Sequence, residues 1–186
     1  MHPVLVDLGF FQLPTYGVLL FLGIALGIYL AARRAKLAGL DGGRIADLGA
    51  WVVLWGLAGA KLLLLVTDPS YLTSLAGVWG LLRAGGVFYG GLIGAVGAAV
   101  VLFRRYRLPF FATADVLVPS LALGHFFGRL GCFSAGCCYG ASCRLPWAVT
   151  FTQPLAHEIS GTPLGVPLHP TQLYEAAFNL ANYAFL

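Results

Sequence analysis

The chain has 186 residues, 59% of them hydrophobic and only 10% charged, with a mean hydropathy of +0.85. So few polar side chains cannot coat a water-soluble globule of this size, which excludes soluble classes and places the protein in a membrane. The net charge of +4 does not call for nucleic acid, because the basic residues stand in short clusters between apolar runs, as in cytoplasmic loops of membrane proteins.

Nothing before Arg33 is Lys or Arg, so the N-terminus lacks the basic region of a cleaved signal peptide and is expected to stay on the mature protein. In residues 1–14, Phe10, Phe11 and Leu13 among His2, Pro3 and Pro14 suit a segment lying on the membrane surface. Tyr16 to Ala32 is an uncharged apolar run closed by Arg33, Arg34 and Lys36, a first membrane span. Ile45 to Val66 gives a second, with Asp47 near its start and Lys61 near its end; for Lys61 a snorkelling anchor outweighs a role in a site.

Residues 67–86 form a loop in which the apolar stretch Leu75 to Leu82 is too short to cross and suits the interface. Gly85 opens a third span that runs to about Phe103 and stops at Arg104, Arg105 and Arg107; Ala112 to about Phe127 is a fourth. Residues 141–171 are polar and proline-rich, with Trp147, His157, Glu158 and His169, and read as an extramembrane excursion. From Gln172 the chain is apolar for 15 residues, fewer than the roughly 20 a crossing needs. The expectation is an all-α polytopic protein, one membrane domain over residues 1–186, with four complete spans and part of a fifth cut short at the C-terminus.

Seven of the eleven basic residues fall in two loops, Arg33, Arg34, Lys36 and Arg44 in one and Arg104, Arg105 and Arg107 in the other. Both loops belong inside, which puts the N-terminus, residues 67–86 and everything after Phe127 outside. All four cysteines then face an oxidising compartment.

The stretch Gly124 to Gly140 sets Arg129, five glycines and three thiols beside strongly apolar sequence. An arginine at the margin of hydrocarbon is costly unless paired or aimed at a ligand, and its fork of donors suits a phosphodiester. That reading outweighs a structural ion pair with Asp115 or Glu175, and Asp115 itself suits helix capping. His125 stands four residues before Arg129 on the same helical face, as a base or, more readily, as a satisfied donor. The cysteines, Cys132, Cys137, Cys138 and Cys143, match zinc spacings only loosely; disulfides come first, a metal second and a catalytic thiol third, with the pairing open. No metal and no cofactor is assigned. Gly85, Gly86, Gly90, Gly91, Gly94 and Gly97 favour helix packing over headgroup binding. Tyr89 among them is equally a headgroup donor or an interfacial anchor.

The chain resembles the bacterial prolipoprotein diacylglyceryl transferases at five landmarks, in order: Tyr16-Gly17, Gly85-Gly86-x-x-x-Gly90-Gly91-Leu-Ile-Gly94, Phe110-Phe111-x-x-x-Asp115, Gly128-Arg129-x-Gly131-x-Phe133 and His169-Pro-Thr-Gln-Leu-Tyr-Glu175. The resemblance implies a multi-pass enzyme of the bacterial inner membrane that moves diacylglycerol from phosphatidylglycerol to the lipobox cysteine of preprolipoproteins. Its partners would be that lipid, preprolipoprotein signal peptides and the surrounding bilayer. A thiolate would attack the glyceryl carbon bearing the phosphate, form a thioether and release glycerol phosphate. Carried onto this sequence, the resemblance gives Arg129, Tyr89, His169 and Glu175 as catalytic residues and Tyr16, Gly90, Gly91, Gly128 and Tyr174 as substrate-binding ones.

Two departures stand out. The family's signature usually continues with Asn, Asn and Glu where this chain has Cys132, Ala135 and Cys137, and its histidine before the Gly-Gly-Leu-Ile-Gly run is Tyr89 here. A phospholipid-binding relative with altered chemistry and a membrane thiol-disulfide oxidoreductase are therefore the alternatives, although the latter lacks a Cys-x-x-Cys pair.

Overall fold

The computed structural model describes residues 3–9 and 12–186; His2, Phe10 and Phe11 of the expected surface segment lie outside them. In chain order come β1 (Val4–Asp7), β2 (Gln12–Pro14), α1 (Thr15–Leu37), α2 (Gly42–Thr67), a 3-10 turn at Pro69–Leu72, α3 (Leu75–Arg83), α4 (Phe88–Tyr106), α5 (Phe110–Ala135), β3 (Val149–Thr150), α6 (Pro154–Ser160), β4 (Pro167–Leu168) and α7 (Thr171–Phe185). Four of these helices, α1, α2, α4 and α5, are long and apolar enough to cross a membrane. Large apolar side chains such as Phe21, Leu57, Ile93 and Leu121 stand exposed on them, an arrangement that hydrocarbon, not water, tolerates. The fold is that of an all-α multi-pass membrane protein.

The contacts divide the chain into two compact units, residues 32–114 and residues 1–31 with 115–186. In the first, α2 and α4 pack through glycine. A Cβ on Gly59 or Gly90 would overlap the backbone carbonyl of the other, and one on Gly94 would overlap the carbonyl of Trp55. Bare backbone on both sides is what allows the two helices to approach this closely. Asp41 caps α2 by accepting from the N–H groups of Gly43 (2.9 Å) and Arg44 (3.2 Å).

Lys61 has backbone partners that its sequence context does not show. Its Nζ donates to the Leu81 carbonyl at 2.7 Å and to that of Ala84, so the ammonium caps the C-terminal end of α3, where carbonyls lack helical partners. Lys61→Met removes these donors, and amide exchange over residues 81–87 is expected to quicken by about tenfold or more while the middle of α2 keeps its protection; hydrogen exchange followed by mass spectrometry reads both.

In the second unit the N-terminal residues are extended, β1 pairing antiparallel with β2. Gly9 takes a φ of +77° in the turn between them, and Asp7 accepts from the Gly9 N–H and the Gln12 amide, each at 2.9 Å. These two donors, the Gly9 N–H first, hold the Asp7 carboxyl below its ordinary value. Along α1, Gly23 and Gly27 face Phe127 and the Ser120 carbonyl of α5, with room for little more than hydrogen.

The fourth span is longer than its apolar run suggests. Helix α5 continues past Phe127 to Ala135 with Pro119 inside it, so Arg129 and Cys132 are helical residues rather than part of a following loop. Interior glycines such as Gly128 and Gly131 weaken a helix by about 1 kcal/mol each relative to alanine, too little to end one that packs along its length. Asp115 lies in the second turn of α5, past the capping position. The helix ends at Gly136, whose φ is +80°. Gly136 N–H donates to Phe133 (3.2 Å) and Cys137 N–H to Cys132 (3.1 Å), the paired bonds of a Schellman termination.

Between α5 and α7 the elements are short. β3 pairs antiparallel with β4 through Val149 and Leu168, over a small core of buried Phe151, Ala156 and Leu168. Phe133 of α5 meets Phe151 edge-on at 6.4 Å between ring centres.

Candidate functional site

The polar residues of the second unit converge from α5, α7 and the first turn of α1. Arg129 is largely buried; its Nη2 pairs with Glu175 Oε2, and His125 Nε2 lies 3.9 Å from the same oxygen. The ion pair that the sequence ranks below a phosphate role is therefore formed, and Glu175 is its acid. It uses only part of the guanidinium, because Nε is buried without a hydrogen-bond partner. A buried donor left unsatisfied is costly, so Glu175 alone does not use all the hydrogen-bonding capacity of Arg129. Gly128, one residue earlier, has open space where a Cβ would stand.

Helix α7 brings a second set of groups. Tyr174 OH accepts from Trp147 Nε1 at 2.7 Å and lies 3.1 Å from His169 Nδ1. A tryptophan N–H only donates, so the phenol is left to donate to the imidazole when His169 carries its proton on Nε2. His169, Tyr174 and Trp147 thus form one chain on the protein's exposed side.

The thiols meet for a local reason. In a Schellman termination the residue two past the cap returns over the one three positions inside the helix end, and here those residues are Cys137 and Cys132. Cys138 follows with a φ of +61°, unusual for a residue with a side chain, and its Sγ lies 3.7 Å from that of Cys137. All four cysteines are free thiols, and the sulfurs of Cys132, Cys137 and Cys138 lie within 4.8 Å of one another; Cys143 is not part of the group. The disulfide-first expectation meets a cluster of three thiols instead of two pairs. Cys137 is held protonated well above the ordinary thiol range, first by its hydrogen bond to Cys132 and then by burial.

Three side chains fix this turn by its successive carbonyls. Thr162 Oγ1 donates to Gly136 O at 2.7 Å, Gln172 Nε2 to Cys137 O at 2.6 Å and Thr171 Oγ1 to Cys138 O at 2.8 Å. Thr162 and Gln172 are fully buried. Sequence reasoning passed over all three, although Gln172 and Glu175, three apart on one helix face, carry the signal: one reaches the thiol turn, the other Arg129.

Tyr16 belongs to the same neighbourhood, since a Cβ on Gly131 would come within 2.9 Å of its ring. Tyr16, Gly128, Arg129, His169, Tyr174 and Glu175 thus fall in one unit, whereas Tyr89, Gly90 and Gly91 belong to the other. Tyr89 is exposed in the first turn of α4. Gly90 is buried against Gly59 and Leu63 of α2, which supports packing over the headgroup contact assigned to it from the resemblance.

Four membrane-crossing helices, with an arginine and an acid on helices α5 and α7 and a cluster of three thiols at the end of α5, define a multi-pass membrane protein with a polar site at the end of its last long span. The comparisons give the family. The prolipoprotein diacylglyceryl transferase profile matches residues 3–186, and the chain belongs to that family. It is 34% identical to the phosphatidylglycerol--prolipoprotein diacylglyceryl transferase of Clostridium tetani over all of this chain and 73% of that protein. The proteins of the same name from Rhodopirellula baltica and Deinococcus radiodurans are 36% and 38% identical over 83% and 70% of this chain. Those matches cover 34% and 40% of the two relatives' own lengths, so the chain spans well under half of them.

Proposed function

We propose that this protein transfers the diacylglyceryl group of phosphatidylglycerol to the lipobox cysteine thiol of preprolipoproteins, with Arg129 as the phosphate ligand. The carrying observation is the state of Arg129: mostly buried, clamped at Nη2 by Glu175 and left with an unsatisfied Nε. Glu175 orients the guanidinium and offsets its charge. The open side of Gly128 admits a headgroup, and the Tyr16 ring lies beside Gly131, two residues after Arg129 on α5.

In the reaction a thiolate displaces the phosphate from the glyceryl carbon. The new bond is C–S, the broken one C–O, and the electron pair leaves on a phosphate oxygen as glycerol phosphate. A guanidinium fixed at the departing oxygen acts where charge builds up, the most effective place for an electrostatic catalyst. His169 and Tyr174 line the site in the same unit as Arg129. The names of the relatives, which give phosphatidylglycerol and prolipoprotein as substrates, support this reading. The distribution of basic residues is in keeping with an N-terminus and a thiol turn on the outer side of the bacterial inner membrane.

The test is complementation in cells depleted of their own transferase. Wild-type chain should restore growth and Arg129→Ala should not; growth of the variant at the wild-type level would remove Arg129 from the phosphate role. A labelled-lipid assay on membranes follows the thioether product directly.

A further inference from the structure

Cys132, Cys137 and Cys138 have no part in the reaction as described, yet the fold invests in placing them. The Schellman turn stacks Cys137 over Cys132, the left-handed backbone of Cys138 turns a third sulfur toward them, and three side-chain donors lock the three carbonyls of that turn. Zinc bound by thiolates sits about 2.3 Å from each sulfur, so tetrahedral ligands stand roughly 3.8 Å apart. The sulfurs of Cys137 and Cys138 are 3.7 Å apart, and all three lie within 4.8 Å of one another. Cys138 is exposed and the other two half-buried, which leaves an entry path. Arg129 stands one turn before Cys132 on α5.

We propose that Cys132, Cys137 and Cys138 bind a Zn2+ ion as thiolates, and that its fourth coordination position receives the acceptor thiol of the transfer reaction. The ion half stands on the sulfur geometry alone; the acceptor half rests on the transferase reading. Three protein ligands are what a catalytic zinc site offers, whereas a structural site closes with four. A thiol that coordinates the ion gives up its proton to solvent. Its sulfur lone pair then forms the C–S bond to the glyceryl carbon, the C–O bond breaks, and glycerol phosphate leaves with the electron pair toward Arg129. The ion is neither oxidised nor reduced, and the three protein sulfurs remain bound to it.

The experiment uses the full chain, reduced, purified in detergent and stripped with a chelator, then titrated anaerobically with Co2+. One equivalent should give intense sulfur-to-cobalt charge-transfer absorption, which Zn2+ then bleaches. Cys132→Ser, Cys137→Ser and Cys138→Ser should each weaken Co2+ binding at least about tenfold, and Cys143→Ser should leave it unchanged. A peptide carrying a lipobox cysteine should intensify the absorption, and its serine analogue should not. Absence of the charge-transfer band in the wild-type chain overturns the ion site, as does a disulfide between Cys132 and Cys137 that persists in reductant. A band the cysteine peptide leaves unaltered overturns the acceptor role. A chain that binds Co2+ and yields no lipidated acceptor from labelled phosphatidylglycerol overturns the transferase reading instead, and the ion site stands.

Discussion

Arg129→Ala is expected to lower diacylglyceryl transfer by about 10²- to 10³-fold, the usual effect of removing one fixed donor from a developing anion. The loss should lie mainly in kcat, because a donor aimed at the departing phosphate oxygen is worth more in the transition state than in the bound lipid. Arg129→Lys keeps the charge but not the fork, and an ammonium cannot hold Glu175 and a phosphate oxygen with the same geometry. It should recover only part of the rate. Glu175→Gln separates the two functions of the arginine: the guanidinium keeps its charge and loses its clamp, so lipid affinity survives while the rate falls. Initial rates against phosphatidylglycerol concentration in mixed micelles measure all three variants. Equal rates for Arg129→Ala and wild type would leave the ion pair with Glu175 as the residue's whole purpose, the structural role that the sequence ranks second.

That ranking shows how far the sequence reaches. The four long helices are legible because each carries an apolar run closed by basic residues or turns, and hydrocarbon imposes length directly. The end of α5 was not, since hydropathy stops at the first polar cluster, whereas a helix stops where its backbone turns, at Gly136. The spacing Cys132, Gly136, Cys137 does contain that turn: a glycine past a helix end brings the next residue back over the helix. Taken as a Schellman ending instead of as metal-ligand spacing, it predicts the contact of the two thiols. The pairing of Arg129 with Glu175 could be proposed from composition, since acids are scarce, but it depends on a long-range approach of Glu175 on α7 to Arg129 on α5, which no local pattern encodes. The partners of Lys61 are hidden for a related reason: they are carbonyls at the end of α3, more than twenty residues ahead for Ala84, and backbone acceptors leave no mark in a sequence.

The glycines of α4 allow a sharper test, because packing and headgroup binding predict opposite results for the same substitution. At Gly90 and Gly94 the first atom of any side chain would overlap the backbone of α2. Backbone cannot rotate away as a side chain can, so α2 and α4 must separate along the seam. Overpacking of this kind costs about 1–3 kcal/mol or more, which for a chain of this size corresponds to a fall of roughly 3–10 °C in unfolding midpoint. Gly90→Ala and Gly94→Ala should both show it in detergent. Gly97→Ala is the internal control: it lies on the same helix with nothing within 4 Å of its Cβ position. There the gain in helix propensity acts alone, worth up to about 1 kcal/mol, so the midpoint should hold or rise. If Gly90 instead serves the lipid headgroup, Gly90→Ala would keep the wild-type midpoint and raise the KM for phosphatidylglycerol. Midpoint and KM measured on the same preparation decide between them, and a lowered midpoint with KM unchanged assigns Gly90 to the seam.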